Sequence, residues 1–461
     1  MRIRYSWGFL LTLPAILMLP AASVPESKAP ARPAASLVLI SLDTARADHF
    51  HCYGYSLPTT PVLDRLASEG ILFENAFTQA VNTGPAHVSL LTGLSPNGHG
   101  VRANGVPLSY DFPTLTTYLE SAGYRTGAFI SGYTMMAAQT GLDRGFEVFD
   151  DKLKGAERKA SETVDRALAW LKGLPPDKPY FLFVHLFDPH GKYDPPAGFA
   201  EKFRSGKYEP IARLDSIPEY QRLELPGGGF SRDPLDYISR YDGELAYADS
   251  QIFRLLSQVG PSPIVVVTAD HGETLVDRDY YFSHGARLND EALRIPLIVR
   301  VPEPAMKGKR VKGLAQLVDV LPTVLSALKQ PVPRRLAGRN LLPFARLGVI
   351  PAGTEVFSEA RAVPQSVGGR LLNFSPKTVI SAIRDDRFKL IVYPTTPNPA
   401  FELFDLEKDP GERHGVTGAE QARASRLYSG LDLYLSSGRL PSPPEPDEET
   451  KKKLRALGYL D

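Results

Sequence analysis

Two continuous runs of apolar residues, each followed by an aspartate, constrain the fold of this chain more than any other feature. Leu37–Leu42 reads LVLISL and precedes Asp43, and Ile264–Thr268 reads IVVVT and lies just before Asp270. Strands without polar alternation are usually buried on both faces, as in parallel sheets covered by helices. The chain is therefore expected to fold around a central sheet of that kind.

Further segments continue this pattern along the chain. Tyr180–Leu186 and Arg125–Ile130 are predicted as two more strands, the second with a weaker signal. Apolar residues at three-to-four spacing in Thr60–Glu69, Thr114–Ser121 and Tyr241–Leu256 indicate helices. Strands that alternate with helices predict an α/β fold with a large, mostly parallel sheet sandwiched by helices.

The last part of the chain has a different pattern. Ser381–Tyr393 has two strand-like arms around a polar turn, which predicts a hairpin, and Phe401–Leu406 is a further short strand. Glu448–Leu457 is charged and is predicted to be a helix. These elements predict a small C-terminal α+β domain with an antiparallel sheet over residues 346–461, beside a large domain over residues 36–345.

The N-terminus has the pattern of an export signal. Two arginines precede the apolar run Gly8–Leu19, and small residues follow it. The run is short for a membrane span. A signal peptide over residues 1–23 and a linker over residues 24–35 are predicted, and an uncleaved membrane anchor is the alternative. The protein is accordingly expected to be periplasmic or secreted.

Charge and cysteine content exclude several classes of function. Lysine and arginine number 53 and aspartate and glutamate number 52, so no global field attracts nucleic acid or an anionic membrane surface. The single cysteine, Cys52, cannot form an internal disulfide. Function must therefore come from a local site.

Side chains that bind metal ions follow three of the predicted strands. Asp43 follows the first strand, Asp270 and His271 follow the IVVVT strand, and His185 and His190 close the strand that begins at residue 180. The carboxyl ends of parallel strands lie along one edge of a sheet, so these groups can converge. A single aspartate after a strand more often caps a helix. Their joint occurrence favours a divalent cation with oxygen and imidazole ligands.

The segment Asn82–Gly93 is the second candidate for chemistry. Pro85 suits the first position of a helix, and Gly93 suits its end. Thr83 would then lie just before the helix, where free N–H groups and the helix dipole favour an anion. A hydroxyl held there beside a cation is arranged as a nucleophile, although from its local surroundings alone Thr83 would be a capping residue.

These motifs together resemble the sulfatase family of the alkaline phosphatase superfamily. Six segments carry the resemblance in the family's order: Leu37–Tyr55, Thr60–Phe77, Thr83–Gly93, Val265–Glu273, His284–Val299 and Phe404–Glu412. The resemblance spans almost all of the chain after the predicted signal. It implies an alkaline phosphatase-like fold, with residues 36–345 as a sulfatase-like catalytic domain and a metal-dependent ester hydrolase activity.

The resemblance also implies roles for individual residues. Asp43, Asp270 and His271 match the family's metal ligands, and Thr83 matches its nucleophile. The remaining matches are the catalytic residues His87, His185, His190 and His284 and the substrate-binding residues Asn104 and Arg46. Sulfatases usually carry an arginine in place of His87 and a lysine in place of His284.

Two departures from the family pattern change the expected chemistry. Sulfatases oxidise a cysteine or serine to formylglycine, but Thr83 carries a methyl group on Cβ and cannot become that aldehyde. The second of the family's paired aspartates is Thr44 here, which removes a carboxylate ligand. Formylglycine is therefore not expected. One or two divalent ions (calcium, manganese, zinc or magnesium) are the implied cofactor.

The predicted function is hydrolysis of a phosphoester, either a diester or a monoester, or its transfer to an alcohol, with Thr83 as the nucleophile. The expected substrate is a small-molecule, glycan-linked or lipid-linked anionic ester. Two alternatives stay open: a sulfate ester hydrolase that works without formylglycine, and an inactive binding protein on the same scaffold. Pro195–Pro234, rich in proline, glycine and charge, is either a wall over the site or a surface insertion.

Overall fold

The computed structural model of the chain describes residues 35–278, 280–363, 365–367, 370–375, 377–438 and 446–456. The predicted signal peptide, the linker up to residue 34 and the end of the predicted tail helix lie outside these ranges. Among the helices within these ranges, none is long and apolar enough to cross a lipid bilayer.

A nine-stranded sheet forms the centre of the fold. Its strands are β1 (Leu37–Leu42), β2 (Ile71–Phe77), β3 (Arg125–Phe129), β4 (Val148–Asp150), β5 (Tyr180–Leu186), β6 (Ile264–Ala269), β7 (Arg294–Ile295), β8 (Leu297–Arg300) and β9 (Lys309–Gln316). Their order is β4-β3-β5-β1-β6-β8-β2-β7, with β9 beside β2. The five strands from β4 to β6 in this order are parallel to one another, whereas β8 runs antiparallel to β6 and to β2. The predicted mostly parallel sheet is confirmed.

Helices cover this sheet on both faces. Every residue of β1 and of β6 is buried, and because successive side chains point to opposite faces, burial of all of them requires cover on both sides. The helices are α1 (Pro61–Glu69), α2 (Thr83–Thr92), α3 (Pro96–His99), α4 (Leu115–Ser121), α5 (Ala137–Thr140), α6 (Ala160–Lys172), α7 (Pro234–Val259), α8 (Asp290–Leu293), α9 (Val320–Ala327), α10 (Leu342–Leu347), α11 (Gln421–Ser437) and α12 (Glu448–Ala456).

Helix α7 is longer at its N-terminal end than the periodic pattern predicted. Asp233 caps it, since its carboxylate accepts a hydrogen bond of 2.9 Å from the backbone N–H of Leu235, and Pro234 occupies the first helical position. Both residues are typical of helix starts. The capping signal, rather than the apolar periodicity, therefore marks where this helix begins.

A second, antiparallel sheet lies in the C-terminal part of the chain. Its strands, together with a separate two-stranded ribbon formed by β11 and β12, are β10 (Val356–Arg361), β11 (Gln365–Val367), β12 (Arg370–Leu372), β13 (Val379–Arg384), β14 (Phe388–Tyr393) and β15 (Ala400–Asp405). The order is β10-β13-β14-β15. The predicted hairpin is β13 and β14, and Leu427 and Leu431 of α11 pack on this sheet. The predicted small α+β part is confirmed, while its boundary at residue 346 stays a prediction.

The excursion over residues 195–234 is irregular, as predicted, and it packs against the large sheet's loops. Gln221 is fully buried, and its Nε2 donates a hydrogen bond of 3.2 Å to the carbonyl oxygen of Phe282. The backbone N–H of Tyr281 donates to the carbonyl of Ser216 at 3.3 Å. Because His190 and His284 lie on the loops that it contacts, the excursion forms a wall beside them.

A buried lysine connects the two sheets. Lys389 of β14 is fully buried, and its Nζ lies 2.7 Å from Asp290 Oδ1 and contacts the Glu412 carboxylate. Glu412 also accepts a hydrogen bond of 2.7 Å from the backbone N–H of Asp290, at the start of α8. The same helix accepts a hydrogen bond of 2.8 Å from the N–H of Gly272, through the carbonyl of Ala292. The small sheet is thus connected to the segment that carries Asp270 and His271.

Replacement of this lysine should destabilise the protein. In Lys389→Met the buried Glu412 carboxylate loses its nearest cation, whereas Asp290 keeps its ion pair with Arg384 at 2.8 Å. Loss of one partner from a buried ion pair costs about 3–5 kcal/mol of unfolding free energy. Lys408→Met is the control because Lys408 is exposed and lies 3.8 Å from Asp405. Its effect should stay within about 0.5 kcal/mol. Chemical denaturation measures both values, and equal values would contradict the role given to Lys389.

Candidate active site

The carboxyl ends of β1 and β6 bring the predicted metal ligands together. These strands are neighbours in parallel register, with Leu42 beside Ala269, so Asp43 and Asp270 both emerge at the same edge. One potential ligand atom from each of Asp43, Asp270 and His271 lies within 4.8 Å of the other two, and all three residues are fully buried. The predicted convergence is therefore present.

Hydrogen bonds fix each of these side chains so that one atom is left for a ligand. Asp270 Oδ1 accepts from the backbone N–H groups of Thr44 at 3.2 Å and His271 at 2.8 Å. The Nδ1 atom of His271 lies 2.9 Å from the carbonyl oxygen of Gly272, and Asp43 Oδ2 lies 3.1 Å from Nε2 of His185. Asp43 Oδ1, Asp270 Oδ2 and His271 Nε2 then have no hydrogen-bond partner.

Three buried ligand atoms without partners fit a divalent cation. Burial of unpaired carboxylate oxygens is costly unless a positive charge compensates it. Two oxygens and one imidazole nitrogen also suit a divalent metal ion, while the donor types alone do not select one metal. The residues present therefore fit the cofactor that the sequence implies.

The charges of this cluster perturb one another strongly. Burial raises the pKa of Asp43 to about 7, against the opposing effect of His271. Burial and the neighbouring Asp43 carboxylate also raise the pKa of Asp270. Burial lowers the pKa of His271, but Asp270 and Asp43 outweigh it and the net shift is upward. A bound divalent cation would favour ionised carboxylates and a neutral imidazole instead.

Thr44 holds an unusual backbone conformation at this edge of the sheet. Its φ is 54°, which few residues other than glycine adopt. Its N–H donates to Asp270, and its carbonyl accepts a hydrogen bond of 2.9 Å from the hydroxyl of Tyr241. These two bonds hold the turn that leads away from Asp43.

Thr83 is the first residue of helix α2, not the residue before it as the sequence predicted. Asn82 has extended backbone angles and forms the N-cap, and Pro85 occupies the third helical position. Proline is tolerated throughout the first turn because those N–H groups have no partner within the helix. Thr83 is fully buried, and its hydroxyl lowers the pKa of the Asp43 carboxylate, so the proposed nucleophile lies beside a proposed metal ligand.

Asn104 lies beside this helix start with its amide oriented by a hydrogen bond. The N–H of Gly84 donates to Asn104 Oδ1 at 2.7 Å, which places the NH₂ group on the other side of the amide. Asn104 Nδ2 is buried and has no partner. Because Pro85 has no N–H and that of Gly84 is used, the helix offers fewer donors for an anion than expected. Asn104 supplies one in their place.

Two of the predicted histidines lie beneath the cluster. His87 is fully buried, with Nδ1 2.8 Å from the Thr83 carbonyl oxygen and Nε2 2.8 Å from Ser41 Oγ. His185, which contacts Asp43, is equally buried, and burial lowers the pKa of each imidazole to about 4. Both rings are therefore neutral at physiological pH in this arrangement. These contacts allow His87 to support Thr83 and His185 to support Asp43.

The other two histidines lie together on the opposite side. The ring centres of His190 and His284 are 4.9 Å apart, and His284 is 4.6 Å from His271. His284 Nδ1 lies 3.2 Å from Glu273 Oε1, and Nδ1 of His190 lies 2.6 Å from the carbonyl oxygen of Gly191. Burial lowers the pKa of both rings well below the usual value. In each ring, these contacts are made by the Nδ1 atom.

Arg46 is not aimed at the cluster. Its guanidinium contacts the Asp48 carboxylate at 2.8 Å and the Asp277 carboxylate at 2.5 Å, and it donates to the carbonyl oxygen of Glu273 at 3.1 Å. These partners occupy its donors, so the geometry gives no support to its predicted contact with the substrate. Its contacts instead tie the turn after β1 to the loop after β6.

Glu273 and Tyr193 belong to the site but received no role from the sequence. Glu273 is fully buried, with Oε1 near His284 and Oε2 accepting a hydrogen bond of 3.1 Å from the Tyr193 hydroxyl. Glu273 was visible as the acidic residue two places after His271. Tyr193 carries no comparable signal, because it lies in an irregular segment.

Comparison of the sequence with known proteins points to one family. The sequence model of the family named Sulfatase matches residues 35–330. The multifunctional alkaline phosphatase superfamily protein PehA of Trinickia caryophylli is 28% identical over 455 residues, which cover 78% of this chain and 85% of PehA. The uncharacterized sulfatase YidJ of Escherichia coli strain K12 is 25% identical over 456 residues, 88% of each chain.

Solved structures share the fold. The phosphonate monoester hydrolase SpPMH from Silicibacter pomeroyi has a TM-score of 0.70 at 24% identity, over 88% of this chain and 96% of its own. That likeness supports the alkaline phosphatase-like fold alone. Because the family's sequence pattern covers well over half of the chain, this protein belongs to the sulfatase family and is an ester hydrolase.

Proposed function

We propose that the protein hydrolyses a phosphoester, with the Thr83 hydroxyl as the attacking group and Asp43, Asp270 and His271 as ligands of a divalent cation. The observation that carries this proposal is the position of Thr83. Thr83 is the fully buried first residue of α2, and its hydroxyl acts on the pKa of Asp43, a residue of the metal-type cluster. Thr83 is not the capping residue, because Asn82 occupies the N-cap position.

The residues of the cluster and their neighbours have separate roles in the proposed reaction. A divalent cation held by Asp43, Asp270 and His271 would lower the pKa of the Thr83 hydroxyl and polarise the ester. Asn104 Nδ2 donates to a non-bridging oxygen, since it is buried with no protein partner. His185 and His87 hold Asp43 and Thr83 in place.

The reaction proceeds in two displacements. Thr83 Oγ gives up its proton to the neighbouring Asp43 carboxylate and forms a bond to phosphorus. The bond from phosphorus to the leaving oxygen breaks, and His284 or His190, whose pKa the bound anionic ester raises, gives that oxygen a proton. Water, or an acceptor alcohol, then attacks the phosphothreonine and returns a proton to the same histidine, and Thr83 leaves with the proton that Asp43 gives back.

Phosphorus is favoured over sulfur by the side chain at position 83. Formylglycine forms a hydrate that can expel sulfate, whereas a sulfate ester of threonine has no comparable route of release. The names of two similar proteins agree with this preference: PehA is called a multifunctional alkaline phosphatase superfamily protein, and SpPMH a phosphonate monoester hydrolase.

Sulfate ester hydrolysis is the second candidate, and the family assignment supports it. YidJ is named a sulfatase, and one solved relative, with a TM-score of 0.72, was determined with its substrate D-glucosamine-2-N,6-O-disulfate. A panel of phosphate monoesters, diesters, phosphonate esters and sulfate esters, each with Ca, Mg, Mn and Zn, decides between them. Faster cleavage of nitrophenyl sulfate than of bis-nitrophenyl phosphate would overturn the phosphorus preference.

Removal of the Thr83 hydroxyl should abolish turnover. Thr83→Ala should lower kcat by roughly 10⁴-fold or more, because loss of a nucleophile removes the covalent route, whereas Thr83→Ser should keep most of the activity. Thr92→Ala is the matched control, a buried threonine of the same helix that bonds the Val88 carbonyl. Steady-state kinetics on the best ester measures all three. Unchanged kcat in Thr83→Ala would show that another group is the nucleophile.

Metal removal should cost both activity and stability. A chelator should inactivate the protein, and excess metal should restore activity and raise the unfolding free energy by about 2.7 kcal/mol at a hundredfold excess over Kd. Asp270→Asn should bind less metal by elemental analysis. Asp249→Asn is the control, because Asp249 is also buried but accepts from the N–H groups of Val62 and Leu63. A chelator-resistant enzyme would rule out the metal role.

Variants of the paired histidines should identify the proton donor. A general acid contributes about 10²–10⁴-fold, and this contribution matters most when the leaving group is a poor one. If His284 donates the proton, His284→Gln should lose far more activity on an alkyl ester than on a nitrophenyl ester. His190→Gln should then lose the same fraction of activity on both esters. His99→Gln is the control, since His99 is buried against Ser89. Equal losses on both esters for both variants would exclude general acid catalysis by this pair.

A further inference from the structure

The C-terminal helix α12 packs directly on the turn that carries Asn104. Gly105, the next residue, has a φ of 77°, and a Cβ atom built there would lie 2.8 Å from Thr450 Cγ2 and 3.1 Å from Leu454 Cδ1. Thr450 and Leu454 are four residues apart and so lie on one face of the helix. The turn and this face are thus in van der Waals contact, with no space for a side chain at position 105.

Helix α12 is otherwise charged, and this contact buries its leucine, while Lys453 lies over the Tyr133 ring. Leu454 is fully buried, whereas most of its neighbours along the helix are exposed. Asp447 caps the helix through a hydrogen bond of 2.8 Å from the backbone N–H of Thr450. A nine-residue helix is not stable alone in water. Docking on the turn therefore stabilises the helix, and the helix in return restrains the turn.

Two other contacts attach the same loop to the C-terminal part of the chain. Arg102 Nε lies 2.6 Å from Glu359 Oε2 on β10. Asn97 Nδ2 donates a hydrogen bond of 2.6 Å to the carbonyl oxygen of Tyr434 on α11. Asn104 is thus held between the C-terminal elements on one side and the N–H of Gly84, next to Thr83, on the other.

We propose that α12 is a positioning element for the reaction. Thr450 and Leu454 press on Gly105 and hold the Asn104 amide against Gly84, so that Nδ2 faces the oxygens of the bound ester. The proposal rests on the proposed role of Asn104 beside Thr83. It does not depend on whether the ester is a phosphate or a sulfate, because both present non-bridging oxygens to the same donor.

A double-mutant cycle in the full-length protein tests this coupling. Asn104→Ala should lower kcat/KM by about a hundredfold, as expected for loss of one preorganised donor. Leu454→Ala should lower it by about tenfold, because small misplacement of a catalytic group is costly. If the helix acts through Asn104, the double variant should be no slower than Asn104→Ala. The assay uses whichever ester the substrate panel identifies.

A matched leucine separates positioning from general destabilisation. Leu403→Ala removes an equally buried leucine from β15, the edge strand of the small sheet, and should lower the thermal unfolding temperature while leaving kcat/KM unchanged. Thr450→Ala is a milder variant that removes the methyl group nearest Gly105 together with the hydroxyl, and it keeps the backbone N–H that Asp447 caps. It should show a smaller loss that also disappears in the Asn104→Ala background.

The remaining outcomes distinguish failure of the positioning role from failure of the proposed function. A further tenfold loss in the double variant, or full activity of both Leu454→Ala and Thr450→Ala, would overturn the positioning role while leaving the proposed function intact. Unchanged activity of Asn104→Ala would overturn the role of Asn104 and the proposal with it. Hydrogen exchange should rise at residues 101–108 in Leu454→Ala and stay unchanged at β1.

Discussion

The carboxylate of Asp270, held by two backbone N–H groups, is the contact on which the candidate site depends. Thr44 and His271 donate to the same oxygen, and one follows β1 while the other follows β6. This oxygen therefore fixes the relative position of two strand ends and turns the second oxygen toward Asp43 and His271. The strained φ of Thr44 is the cost of that arrangement.

Much of this arrangement could be predicted because it is encoded locally. The apolar runs required a sheet buried on both faces, and the parallel register made Asp43 and Asp270 neighbours. Contacts that join distant segments could not be predicted in this way. No local pattern shows that Arg46 pairs with Asp277, that Tyr193 bonds Glu273, or that α12 packs on Gly105. Predicted export likewise rests on residues outside the described ranges and stays a prediction.

The start of α2 shows how a small shift changes the chemistry. With Pro85 at the first helical position, Thr83 would lie outside the helix and free N–H groups would face the anion. With Asn82 as the cap, Thr83 is helical and Gly84 bonds Asn104. In the proposed reaction, a side-chain amide then stabilises the anion in place of the helix N–H groups. An amide on a separate turn needs external support, whereas a helix end does not.

The C-terminal part of the chain supplies this external support. Lys389 and Glu412 hold α8, which bonds Gly272 beside His271, and α12 holds the turn of Asn104. One connection supports a metal ligand, and the other supports a donor to the ester. Both connections contact the site segments at glycines, Gly272 and Gly105, where a side chain would hold the two surfaces apart. The small sheet and its helices therefore support a candidate site whose proposed reacting groups all come from the part of the chain that forms the large sheet.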